Sequence, residues 1–144
     1  MLEDNTIIKE GYLVIDNVNS DKYLVTAVRK THFANQANMW RCDDTCSVYR
    51  LANKYVGTQI TGKELKPIIT DADCVQKDTN GKIKFFDASL LESTIKIVYL
   101  QQSAEVKVAD RLVIDGKPYQ VDSVDSASVK GIYALQLSED KRKL

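Results

Sequence analysis

The sequence predicts a mainly β protein, a small β-barrel or sandwich with long loops. Three observations carry that expectation. Short runs of β-branched and aromatic residues recur along the chain, each bounded by turn-forming residues. No stretch keeps an apolar helical period through three turns. The most legible segments alternate apolar and polar with a period of two, as a sheet with one wet face requires.

The elements follow in order. Tyr12 to Ile15 is a short apolar run between Gly11 and Asp16-Asn17, and Tyr23 to Val28 follows after a polar connection. Thr31 to Asn38 reads as a loop. Met39 to Cys42 and Ser47 to Leu51 read as strands around Asp43-Asp44-Thr45. Thr61-Gly62-Lys63-Glu64 has capping-box spacing, but Pro67 stops any helix within about a turn. Pro67 to Thr70 and Cys74 to Lys77 are expected to be short edge strands. Asn80-Gly81 is a hairpin signal, because both residues tolerate positive φ, and Lys82 to Phe86 is its second strand. Asp87 to Glu92 is a candidate helical turn, and Thr94 to Leu100 a strand. Arg111 to Ile114, Asp115-Gly116 and Pro118 to Val124 form a hairpin. Gly131 to Leu137 closes the series, with Tyr133, Leu135 and Leu137 on one face.

An internal echo runs through this pattern. Leu13-Val14-Ile15-Asp16 recurs as Leu112-Val113-Ile114-Asp115, and each copy is followed by a Tyr-x-Val-x-x-Val run from Tyr23 or Tyr119. An apolar hairpin cannot bury its face alone, so each copy needs partner strands. The echo reads either as two related barrel-like modules or as chance likeness between common hairpins. The expected organisation is an N-terminal β module over 1–52, an irregular middle over 53–92 and a C-terminal hairpin module over 93–144, or all three as a single domain.

Composition narrows the function. A chain of 144 residues buries roughly 68–70% of its unfolded surface without disulfides or metal. Hydrophobic residues make up 44%, enough to offset the entropy lost on folding. Twenty basic residues balance twenty acidic ones, so the basic excess expected of a nucleic-acid gripping protein is absent. The balance is not a cancellation between halves: Met1 to Ile60 holds seven of each sign. Lys141, Arg142 and Lys143 read as a solvated terminus. A neutral chain does little to keep its copies apart, which suits self-association. No apolar run reaches the ~18–20 residues of a membrane span, and Met1 to Thr6 lacks a signal-peptide layout. Three cysteines without an export signal point to free thiols and a reducing site of folding.

The residues that do chemistry are sparse. His32 is the sole histidine and falls in an expected loop, so no serine or cysteine has an evident base, and no catalytic residue is assigned. Cys42, Cys46, Cys74 and His32 have the donor types of a zinc site, but the usual two-residue spacing and second matched pair are missing, so no metal is expected. The six glycines form no phosphate-binding loop, and no cofactor is expected. Asp43-Asp44 and Asp71-Ala72-Asp73 read as turn residues, without the calcium-loop ligand pattern. Tyr12, Tyr23, Tyr49, Tyr119 and Tyr133 take strand positions that suit a core or a subunit contact. Met39, Trp40 and Arg41 are of the types enriched at interfaces, though Trp40 equally suits a core.

In the stretch from Val108 through Asp125, followed by Gly131 to Leu137, the chain resembles neck proteins of tailed bacteriophages, the head-closure (stopper) proteins and related head–tail connectors. Such proteins tend to carry Asp-Arg, an apolar run, Gly and a Tyr-x-Val hairpin, then a Gly-led strand ending in an acidic residue. Here these are Asp110-Arg111, Leu112 to Ile114, Gly116, Tyr119-Gln120-Val121, Gly131 to Leu137 and Glu139. Tyr23-Leu24-Val25-Thr26 to Trp40-Arg41-Cys42 also resembles larger phage structural proteins that pair a Tyr-Leu-Val strand with an apolar-Arg-Cys strand. The middle, Tyr55 to Leu91, resembles nothing of this kind.

The resemblance implies a small β-barrel subunit, not an enzyme, in a ring at the portal end of a capsid within the virion neck, assembled in the host cytoplasm. Its implied partners are copies of itself, portal or adaptor proteins and tail proteins, with double-stranded DNA passing unheld and no membrane. Long loops would seal and dock, with Thr31 to Asn38 and Pro67 to Asn80 as the candidates; the candidate interface is His32 and Phe33 with the adjoining Met39, Trp40 and Arg41. Tail terminator, tail-completion protein and adaptor are neighbouring roles, the adaptor disfavoured because adaptors usually look helical. From other classes, the rivals are a barrel module binding nucleic acid or peptide and a zinc or thiol enzyme.

Overall fold

The computed structural model describes residues 8–30, 35–79 and 94–142. Among them the chain forms strands β1 Leu13–Ile15, β2 Lys22–Lys30, β3 Asn35–Arg41, β4 Asp44–Val56, β5 Gln59–Asp78, β6 Lys96–Gln101, β7 Arg111–Ile114, β8 Lys117–Val129 and β9 Ile132–Glu139. No helix occurs among the described residues. The protein is all-β, as the alternation predicts: a closed six-stranded barrel in the order β4-β5-β6-β9-β8-β7, plus an open three-stranded sheet, β1-β2-β3. Every pairing is antiparallel.

Inward-facing side chains fill the barrel. On β9, Tyr133, Leu135 and Leu137 are buried, as their spacing requires, and they meet Val98 and Leu100 of β6, Leu112 and Ile114 of β7 and Val121 of β8. Closure through the β4–β7 ladder, Cys46↔Ile114 to Tyr49↔Arg111, removes the open edges that an unclosed sheet would expose. Asp115-Gly116 makes the predicted two-residue turn, with φ of 53° and 74°.

The three-stranded sheet packs on the barrel through a close backbone contact. A Cβ on Gly11 would lie 2.7 Å from Gly131 Cα. Only glycine allows that approach, and φ of +87° at Gly11 disfavours any side chain there. Gln101 Nε2 donates to Gly11 O at 2.8 Å, and Lys22 pairs with Asp73 at 3.3 Å.

The two copies of the echo are both hairpin strands, but in different sheets. β1 belongs to the open sheet and β7 to the one closed barrel. Their registers differ by one residue: Tyr23 pairs with Val14, whereas Tyr119 pairs with Leu112. Ile114 is 1% exposed in the closed barrel, whereas its counterpart Ile15 in the open sheet is 53% exposed.

Several expected loops are strand. Asn35–Asn38, expected to end a loop, begin β3. Met39 to Arg41 and Asp44 onward are strands, but not partners: β3 pairs only with β2, and the chain crosses from sheet to barrel between Arg41 and Asp44. That crossing, rather than residue 52, divides the sheets, and the described part of the expected irregular middle, 53–79, is largely β4 and β5. Of Pro67 to Asn80, expected as a docking loop with two short edge strands, Pro67 to Asp78 lies within the single 20-residue β5, and Asn80 lies outside the described residues. Bulges carry β5 past its irregular residues; at one of them Asp71 takes φ of 48° and donates its N–H to Ser47 Oγ. Thr61 caps no helix, and its hydroxyl donates to Lys54 O instead. The Asn80-Gly81 turn, the Lys82 to Phe86 strand and the Asp87 to Glu92 helical turn lie outside the described residues.

Candidate functional site

Of the five candidate interface residues, His32 and Phe33 lie outside the described residues. Met39, Trp40 and Arg41 share β3 but have different surroundings. Met39 is 39% exposed. Trp40 turns to the barrel, with its ring centroid 4.6 Å from that of Tyr99 at an interplanar angle of 66°. Lys77 Nζ lies 4.8 Å from the Trp40 centroid and 5.4 Å from that of Tyr99. Aromatic edge-to-face packing and a cation over two rings bind β3 to β5 and β6, so Trp40 serves a contact inside the chain. Arg41 is exposed and pairs with Asp21 at 3.2 Å and Asp43 at 3.3 Å.

One exposed surface escaped the sequence reading. β4 pairs with β7 only as far as Tyr49, and β5 pairs with β6 only from Cys74. Between those points β4 and β5 pair with each other alone, through Arg50↔Lys66, Tyr55↔Ile60 and Val56↔Gln59. The result is a hairpin arm that projects about 20 Å at ~3.4 Å per residue over Leu51–Val56. Every residue from Asn53 to Glu64 is exposed, including Tyr55, Val56 and Ile60 at 58%, 67% and 60%. The turn is Gly57-Thr58, with Gly57 at φ of 61°. A two-residue loop with glycine first matches a type II′ hairpin turn, and that dipeptide is the signal that would have located the arm.

At the arm's base lies a network of charges. Arg50 Nε and Nη2 each donate to the Asp110 carboxylate at 3.0 Å, and Lys107 N–H donates to it at 2.9 Å. Asp140 accepts from Arg111 Nε at 2.8 Å and from Arg142 Nε and Nη2 at 2.9 Å. The carboxylates of Asp110 and Asp140 are almost wholly buried. Hydrogen bonds from Arg142, and then from Arg111, hold the Asp140 carboxyl well below the usual carboxylate range, against the opposing effect of burial. The Asp110 carboxylate in turn holds Arg50 protonated. Each acid is held by arginine hydrogen bonds, so the network ties β4, β7 and the C-terminal segment together.

The cysteines are free. Cys46 and Cys74 are buried, and a hydrogen bond to Cys46, then burial, pushes the Cys74 thiol far up. Burial, then Asp73, raises Cys42 to about 11. Raised thiols are poor nucleophiles and poor ligands. Among the described residues no group of three histidine, cysteine or acidic side chains is placed to hold a metal ion, and no helix is long and apolar enough to cross a membrane. A crevice of about 340 Å³ lies between sheet and barrel, lined by Leu13, Ile68, Asp73 and Gln101; Gln101 bonds to Gly11 O and Asp73 pairs with Lys22.

No protein-family model matches the chain, and no curated protein matches it significantly.

Proposed function

We propose that this chain is a virion structural protein of the tailed-phage neck: a ring-forming head-closure or head–tail connector subunit that joins the portal side of the capsid to the tail and seals or passes DNA. It acts as a scaffold and not as a catalyst. The observation that carries the reading is the β4–β5 arm. An isolated two-stranded hairpin is marginal in water, and this one extends with an apolar tip away from the barrel that anchors it. A closed barrel with a projecting arm suits a subunit that completes itself against neighbours.

Two further features support it. The Asp110-Arg111 pair, on which the likeness to neck proteins partly rests, sits in the clamp that holds the arm's base and the C-terminal segment. Zero net charge suits a ring through which DNA passes without being held. The test is two-dimensional class averaging of the particle that contains this chain, with the chain tagged by gold-labelled antibody. The proposal expects label and a rotationally symmetric collar at the junction of head and tail. Label elsewhere on the particle, or none, refutes it.

A further inference from the structure

The strand edges of this chain are not equally protected. An edge with unpaired backbone groups is a template for another strand, and proteins blunt it with shortness, charge, proline or cover. The barrel closes on itself. On the arm, Lys54, Lys63, Lys66 and Pro67 interrupt the outer edges. In the open sheet, β1 has only three residues, and the barrel meets the chain just before it through Gln101 Nε2, which donates to Gly11 O. β3 is the exception. It runs for seven residues, pairs with β2 alone, and carries no lysine, proline or acid. Its one charge, Arg41 at the last position, is already paired with Asp21 and Asp43.

The unpaired groups can be placed. Cys42 N–H donates to Lys22 O at 2.7 Å, and Asn38 O accepts from the Thr26 hydroxyl at 3.1 Å. Both residues therefore turn their backbone towards β2, and by alternation Asn35, Ala37, Met39 and Arg41 turn theirs outwards. Among the described residues no backbone bond reaches those outward groups. The strand also has room beside it. Gln36 and Asn38 share the face of Trp40 but are exposed, so the barrel covers the Arg41 end of the strand and leaves the rest clear.

We infer that this edge pairs with the same edge of a second copy of the chain, antiparallel, about a two-fold axis at Asn38. That register uses all seven residues. It sets Ala37 against Met39 of the second copy, and Asn35 against its Arg41, as hydrogen-bonded pairs, which gives about eight backbone bonds. Asn38 meets its own counterpart at a non-hydrogen-bonded position, where side chains come closest and two amides can bond to each other. Two features favour a second copy over a foreign strand. The register is self-complementary, with Arg41 facing no like charge, and the zero net charge of the chain sets little repulsion between copies. The contact is isologous, each copy offering the same surface. A seven-residue strand spans about 24 Å, so little area is buried and the dimer is weak and concentration-dependent. The arm takes no part, so this pairing stands apart from the ring reading. Where both hold, the closed oligomer contains an even number of copies.

The test separates the two surfaces. Tyr55→Ser with Ile60→Ser disables the arm tip in the full-length chain. In sedimentation velocity that variant still forms a dimer of twice 16.2 kDa at high concentration. Adding Ala37→Pro removes an outward N–H that an edge strand can spare, and adding Met39→Lys places a charge on the edge. Either change weakens the dimer by at least about ten-fold while the far-UV circular dichroism spectrum is unchanged. Asn38→Cys in the same background links two copies under mild oxidation, and Arg29→Cys, exposed on β2, does not. Hydrogen exchange of the Ala37 and Met39 amides slows as the dimer forms. A monomer at every concentration overturns the inference and leaves the ring reading standing. A dimer that survives both edge variants, or equal linkage through Asn38→Cys and Arg29→Cys, also overturns it. So does slow exchange of both amides in the monomer, which shows the edge covered within its own chain.

Discussion

Replacing Asp140 by alanine removes a wholly buried carboxylate that accepts from Arg111 and Arg142 and leaves two guanidinium groups facing each other without it. Breaking a buried ion pair by deleting one partner costs about 3–5 kcal/mol, because the surviving charge keeps its desolvation penalty. Arg111 is 14% exposed, so its loss is felt at nearly full strength, whereas Arg142, 30% exposed, regains some hydration. An unfolding entropy of about 2.1 cal/mol/K per residue converts that cost to a fall in melting temperature of roughly 10–16 °C for a chain of this length. The assay is thermal unfolding followed by far-UV circular dichroism at neutral pH. The acid limb supplies a second readout. The Asp140 carboxyl is held below its ordinary value when folded, so its contribution is complete above the unfolded pKa of about 3.9 and is lost as pH falls towards the folded value. Asp140→Asn therefore flattens the loss of stability between about pH 5 and pH 2. A melting shift below about 2 °C, or an unchanged acid slope, refutes the reasoning.

Further outcomes follow from the same contacts. Gly11→Ala, whose Cβ would meet Gly131 Cα at 2.7 Å, lowers the melting temperature clearly more than Gly57→Ala, which shares positive φ but meets nothing within 4 Å; equal shifts contradict the tight contact. In the native chain at pH 8 none of the three cysteines reacts rapidly with a thiol reagent, and all three react in guanidinium; fast native labelling contradicts the burial of Cys46 and the raised thiols of Cys42 and Cys74. Lys77→Met costs about 0.5–1 kcal/mol in denaturant unfolding and changes the emission of Trp40, the sole tryptophan; unaltered emission contradicts the stacked geometry.

The barrel's C-terminal half was legible because its signals are local. Asp115-Gly116 dictates a turn, and the alternation of Tyr133, Leu135 and Leu137 dictates a buried face. The arm was not, because the Thr61–Glu64 spacing reads as a helix start and Pro67 as its stop. In the fold, bulges absorb the irregularity and pairing to β4 overrides those preferences. The charge clamp joins Arg50 to Asp110 and Arg111 to Asp140, pairs 60 and 29 residues apart, and nothing local announces either. Trp40 has interface composition, but which side of β3 it faces depends on a sheet register that the sequence does not reveal.

Self-assembly through the arm is tested most directly by light scattering of the purified full-length chain over a range of concentrations, with negative-stain class averages of the same sample. A closed oligomer with cyclic symmetry, a whole-number multiple of 16.2 kDa, is the predicted result. A chain that remains a 16.2 kDa monomer throughout contradicts it.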